Sequence, residues 1–185
     1  MDRPLSGLLD DLKHPALLQL ARHWLSLRHS HGGIPPLRAL DPMQFAPVMK
    51  DSWIVDAEPD GGFRFRLAGE TLVEWYGHNP KGRTFLEVAS PAVAPVLISF
   101  ARRVVQGPAI TFHRMSSTMP GWEIPSSFER MGLPLGDNEG RVRHLFGATV
   151  FDRHYYNGRG AVTTKMEFEY WYPLAEPQAR QGSSL

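Results

Sequence analysis

The residues best suited to chemistry in this 185-residue chain are eight histidines, a few serines and carboxylates near one of them, and a glycine-and-basic turn. His113 stands close to Ser116 and Ser117 in "AITFHRMSS". A serine nucleophile needs a base within hydrogen-bond reach, an acid that orients the base, and a sharp turn that presents the hydroxyl. Neither the turn nor the orienting acid is visible here, and Glu123 and Glu129 make no recognisable carboxylate pair. His29 and His31 form a His-x-His pair with no nearby Asp, Glu or Cys to complete a metal set. At the end of a helix such imidazoles satisfy terminal carbonyls and the dipole instead. No catalytic residue and no metal ligand is therefore assigned.

The turn lies in "WYGHNPKGRTFLEV", residues 75 to 88. A phosphate loop would want a strand before it, a long helix after it, and Ser or Thr following the lysine. Lys81-Gly82-Arg83 has none of these. The stretch reads as a corner: Gly77 closes a helix, Gly82 permits a turn that a Cβ would obstruct, and Arg83 bonds backbone carbonyls or an acid such as Glu74 or Glu87.

Composition narrows the function classes further. Twenty basic and nineteen acidic residues leave a net charge of +1, and the pairs Arg102-Arg103 and Arg141/Arg143 are too small and scattered for a nucleic-acid footprint. The absence of cysteine excludes disulfides, thiolate metal sites and cysteine nucleophiles. No apolar run reaches the roughly 18 residues of a membrane helix. The opening "MDRPLSGLLDDLKHP" carries acids and no apolar core, so it is not a secretory signal. A cytoplasmic protein without membrane or nucleic-acid partners is expected.

The elements that must position these residues follow from periodicity. From Pro15, which suits a first helical turn, Leu17, Leu20, Ala21, Trp24 and Leu27 form one apolar stripe that ends at Gly32-Gly33. After a proline-punctuated stretch, "SWIVDA" (52 to 57) and "FRFRLAG" (63 to 69) read as a hairpin with Phe63, Phe65 and Leu67 on one face. A short helix carries Leu72, Val73, Trp75 and Tyr76. A longer one over 91 to 107 carries Val93, Val96, Leu97, Phe100 and Val104. Three strand-like runs follow, in "AITFHRMS", "SSFERMGLPLGD" and "RVRHLFGATVFD". The alternating "TKMEFEYWYPL" is either a last strand or an extended segment packed outside, and "AEPQARQGSSL" is a tail. The plan is α+β: a five-stranded antiparallel sheet with its helices between strands two and three, preceded by an amphipathic helix. The N-terminal stripe can cover the second sheet face, of this chain or of a partner.

This order, with "ARHWLSLR", "LDPMQFAPVMKDSWIVDAEPDGGFRFRLAGETLVEWYGHNPKGRTFLEV" and "FERMGLPLGDNEGRVRHLFGATVF", resembles a bacterial, mostly alphaproteobacterial, family of stand-alone PAS-like domains with a leading helix. The resemblance covers roughly residues 15 to 152. It divides the chain into a helical extension (1–40), a PAS-like core (41–152) and a C-terminal extension with its tail (153–185).

The resemblance implies a sensory or interaction module that holds a small ligand between sheet and helices, or serves a protein partner. Wall candidates, from alternation and stripe, are Phe65, Leu67, Tyr76, Phe85, Leu97, Phe100, Phe112, His113, Met115, Phe128, Arg130, Leu145 and Thr149. Cysteinyl-flavin photochemistry is excluded, because Pro80 stands where the thiol belongs. Residues 91 to 107 contain no histidine, which argues against haem. A homodimer is expected through Leu17, Leu20, Ala21, Trp24 and Leu27, with output passing to a signalling protein. The alternatives are a scaffolding dimer with a filled core and no ligand, and a small α+β-barrel enzyme. The two strands ahead of the helices speak against the second.

Overall fold

The computed structural model describes residues 1–91, 93–118, 126–152 and 163–174. Glu123 and the tail therefore lie outside the described residues. A single antiparallel sheet runs through the molecule. Its strands are β1 (Ser52–Ala57), β2 (Phe63–Ala68), β3 (Ala109–Thr118), β4 (Ser126–Gly136), β5 (Val142–Phe151) and β6 (Thr163–Pro173), in spatial order β2-β1-β5-β4-β3-β6. The expected five strands are thus six. The alternating C-terminal run joins the sheet by pairing with β3 from Ala109↔Pro173 onward.

The helices are α1 (Leu8–Asp11), α2 (Pro15–His31), α3 (Glu70–Tyr76), α4 (Phe85–Val88) and α5 (Ala94–Gln106). Helix α2 begins at its proline and ends on Gly32, whose φ of 66° is the left-handed conformation that favours glycine. His31 bonds the Leu27 carbonyl at 2.8 Å, the terminal role expected of it.

The sheet is apolar on both faces, and each face has its own cover. On one side Ile54, Ile110, Phe112, Met131, Leu133 and Phe146 meet Leu17, Leu20, Ala21 and Trp24 of α2. Those four α2 residues are fully buried within the chain, and Leu27 is half-buried. The stripe expected to meet a partner is therefore spent on the chain's own sheet, where burying each large side chain stabilises by about 1.5–3 kcal/mol. On the other side Trp53, Val55, Phe63, Phe65 and Leu145 meet Leu72, Phe85, Ala101 and Val104 from α3, α4 and α5.

Two expectations about facing change. Ile54 pairs with Leu67 and Val55 with Phe65, so Arg66 is an extra residue in β2. This bulge shifts the alternation: Phe63 and Phe65 stay on the α3–α5 side, while Leu67 packs against the α2 side. In α5 the buried positions are Ala94, Ala101 and Val104, with Leu97 and Phe100 half-buried, and Val96 is exposed rather than part of the stripe.

Both sheet margins are covered over part of their length. Residues 82–84 run along β2, with Gly82 N–H donating to the Phe65 carbonyl at 2.7 Å and Phe65 N–H to the Arg83 carbonyl at 3.0 Å. Arg64, not Arg83, holds this turn: its Nη1 donates to the Gly82 carbonyl at 2.7 Å and its Nε to Glu58 at 2.6 Å. At the far margin the first residues of the chain bond Trp171 of β6, with Arg3 N–H donating to its carbonyl at 2.7 Å. Covering free strand edges removes templates for aggregation. The glycine-and-basic turn is therefore edge cover.

Candidate functional site

The candidate site is a cavity of about 50 Å³ between the sheet and α3–α5. Its floor is built by two adjacent rows of residues in register. In the first, His113 of β3 stands opposite Arg130 of β4, and Arg130 opposite Thr149 of β5. In the second, Thr111, Gly132, Gly147 and Trp53 follow one another across β3, β4, β5 and β1. The two glycines make room for the Trp53 indole. A Cβ on Gly147 would fall within 2.7 Å of Trp53 Cη2 and nearer still to Cζ2 and the Met131 carbonyl.

Thr149 is buried beneath the floor and joins its parts. Its Oγ1 accepts from Trp53 Nε1 at 3.1 Å and from Arg130 Nε at 2.9 Å. The Arg130 side chain also donates to the Tyr76 side chain, and its guanidinium lies 5.4 Å from the Phe128 ring centroid. Among the described residues no carboxylate forms an ion pair with it. Burial pushes the Arg130 pKa down, while Tyr76 acts the other way.

His113 is 4% exposed and stacks on Phe100, ring centroids 5.1 Å apart and planes 14° from parallel. Its Nδ1 is buried without a hydrogen-bond partner. Burial, and secondarily the Arg130 charge, pushes its pKa from 6.5 down to about 3, so the imidazole is neutral near pH 7. Glu169, its register neighbour on β6, accepts from Trp171 Nε1. Unpaired buried polar atoms are rare in native proteins and call for an explanation.

Of the residues expected in the wall, the cavity brings together Phe65, Tyr76, Phe85, Leu97, Phe100, His113, Arg130 and Leu145. The other five fall elsewhere. Phe112 points to the opposite face, against Phe168 at 5.2 Å, because it alternates with His113. Leu67 is turned away by the Arg66 bulge. Phe128 shares Arg130's face but packs with Trp75 and Phe151 beyond the cavity, and Met115 is its register partner there. Thr149 supports the wall from beneath. Sequence reasoning missed Trp53, Val55, Leu72, Ala101, Val104, Thr111 and Gly132. The signal for Trp53 was its alternation with Ile54, and for Gly132 a lone glycine inside a strand pattern.

Ligand pockets for drug-sized molecules run from about 300 to 1,000 Å³. The cavity, about 50 Å³ and lined by Phe85 and Phe100 among others, is small beside these. His144 of β5 is held by Asp56 at 2.7 Å and does not line the cavity.

A family model described as the PAS domain matches residues 12–150, so the match takes in α2. Among solved structures, the PAS domain of BvgS from Bordetella pertussis is 17% identical with a TM-score of 0.42, over 56% of this chain and 77% of that one. An RNA-binding light-oxygen-voltage receptor is 21% identical with a TM-score of 0.37, over 64% of this chain and 36% of that one. No curated protein matches.

Proposed function

The chain belongs to the PAS domain family, and on that premise we propose that it is a sensory or interaction module. Its input is a small molecule held between the sheet and α3–α5, and its output passes to a protein partner. The observation that carries the reading is the meeting, on a largely apolar cavity, of Arg130, without a carboxylate partner among the described residues, and His113, whose Nδ1 is buried without a hydrogen-bond partner. Apolar walls with a few convergent polar groups are the usual make-up of a ligand site. The reading assigns no catalytic step.

Homodimerisation belongs to this reading, but through a surface other than the α2 stripe, which is already buried in its own chain. A ligand changes the output only if it binds one arrangement of the module better than another. A cytoplasmic setting also belongs to it; no helix among the described residues is long and apolar enough to cross a membrane.

A second reading, an interaction module with a filled core, is favoured by the small size of the cavity. Native mass spectrometry of protein purified gently from its own host separates the two. Extra mass per chain supports the sensory reading and identifies the ligand. Bare chains that also show no binding of small molecules in solution favour the filled core.

A further inference from the structure

Resting on the reading of this cavity as the sensory site, we propose that its ligand is a monocarboxylate of two to four carbons, its carboxylate held by Arg130 and His113 and its alkyl body lying against Leu97 and Leu145.

Three observations converge on this chemistry. The first is charge. Arg130 lines the cavity with one N–H spent on Thr149 and another bond to Tyr76, and a guanidinium has five donors in a planar fork that matches a carboxylate. A charge taken out of water is costly unless an opposite charge meets it. Among the described residues no acid does so, and a ligand anion would.

The second is the unpaired imidazole. His113 stands beside Arg130 in register, and stacking on Phe100 fixes the plane of its ring. With the proton on Nδ1, the neutral ring donates to an acceptor held at the same time by the guanidinium. The charged groups around His113 are Arg130 from β4 and Glu169 from β6, and Glu169 is engaged by the Trp171 indole. From α5 it is Phe100 that stacks on the ring.

The third is size. At about 10–15 Å³ for each water-sized group, a space of about 50 Å³ takes roughly four such groups. That accommodates acetate or propionate, and butyrate with slight movement of Leu97. Beyond these two groups the wall offers only the Thr111 and Tyr76 hydroxyls and no second cation, so a second carboxylate would be buried without an opposite charge, and the further charge of a phosphate would likewise go unmet.

The test is a methyl NMR titration of the full chain with sodium propionate, against propionamide and sodium phosphate at matched ionic strength. Propionate is expected to shift the methyl signals of Leu72, Leu97 and Leu145 saturably and leave Leu20 and Leu133, across the sheet, unmoved. Propionamide, and propionate with Arg130→Gln, are expected to bind at least tenfold more weakly. Arg130→Lys keeps the charge but loses the fork, so it falls between; it also serves if the glutamine variant does not fold. Propionamide binding as tightly as propionate overturns the carboxylate while leaving a small-molecule cavity in place. Phosphate moving the same methyls as strongly overturns the monocarboxylate in favour of anions generally. No shift with any of the three overturns the monocarboxylate, and the native mass spectrometry then decides separately whether the cavity holds another small molecule.

Discussion

The indole N–H of Trp24 donates to the backbone carbonyl of Pro134 across 2.9 Å, in the buried layer where α2 meets β4. The two residues are 110 positions apart, and both the bond and the ring around it belong to one chain. The N-terminal helix is thereby fixed as part of the core, and substitutions on its apolar stripe act on folding.

Trp24→Phe is expected to lose about 2 kcal/mol, because the Pro134 carbonyl is left buried without a donor. Trp24→Ala adds a cavity and is expected to lose about 4 kcal/mol. Urea unfolding followed by circular dichroism measures both. Trp24→Asp or Leu20→Asp should abolish folding; a well-folded monomer from either would return the stripe to the role of a dimer surface.

The neutral, buried His113 predicts a pH dependence with a definite sign. Its folded pKa of about 3 lies below the ordinary 6.5, so the unfolded chain binds the proton more tightly. The stabilisation from keeping this imidazole neutral is complete above pH 6.5 and is lost progressively as pH falls towards 3. A tenfold difference in proton affinity between the folded and unfolded chain is worth about 1.4 kcal/mol, so the loss is on the order of 3 kcal/mol by about pH 4.5. His113→Phe, which keeps the stack on Phe100, should remove this part of the slope. Parallel stability curves for the two proteins between about pH 4.5 and 7 would show that His113 does not titrate in this way.

Thr149 is expected to matter more than a buried threonine ordinarily does, since one hydroxyl serves two donors from different strands. Thr149→Val keeps the shape and strands both Trp53 Nε1 and the charged Arg130 Nε, at a cost on the order of 3 kcal/mol. Thr149→Ser keeps the acceptor and should cost much less. A double-mutant cycle of Thr149→Val with Trp53→Phe should give a coupling of about 1 kcal/mol; strict additivity would mean that the hydroxyl does not join the two.

Much of the fold was legible in the chain. Pro15 and Gly32 bracket α2 because each residue's backbone restriction belongs at one end of a helix. Alternation placed His113 on a strand, but choosing between it and Phe112 for the cavity required knowing which face the helices cover, a long-range fact. Leu67 was assigned to the wrong face because one bulged residue, Arg66, inverts everything beyond it, and nothing local marks it. The apolar stripe of α2 signalled burial without saying against what. Arg64 and Arg83 are both arginines beside the same turn, and only strand pairing decides which one clasps it.

Gly147 offers the sharpest test of how the floor is built. It is a glycine in the middle of a strand, where a side chain would ordinarily strengthen the sheet. Here the Trp53 ring occupies the place of that side chain, and a Cβ would also press on the Met131 carbonyl of the neighbouring strand. The ring can move, whereas the paired backbone cannot without breaking the β4–β5 ladder. Gly147→Ala is therefore expected to cost about 3 kcal/mol and to displace the Trp53 indole from Thr149. Unfolding in urea reports the first effect, and loss of protection of the Trp53 indole N–H against hydrogen exchange reports the second. At Gly132 the nearest neighbours of an added Cβ are the Thr111 hydroxyl at 2.8 Å and Trp53 Cη2 at 3.6 Å, both side-chain atoms that can shift. Gly132→Ala should accordingly be milder than Gly147→Ala, and the opposite ranking would show that the ladder, not the ring, is the part that yields.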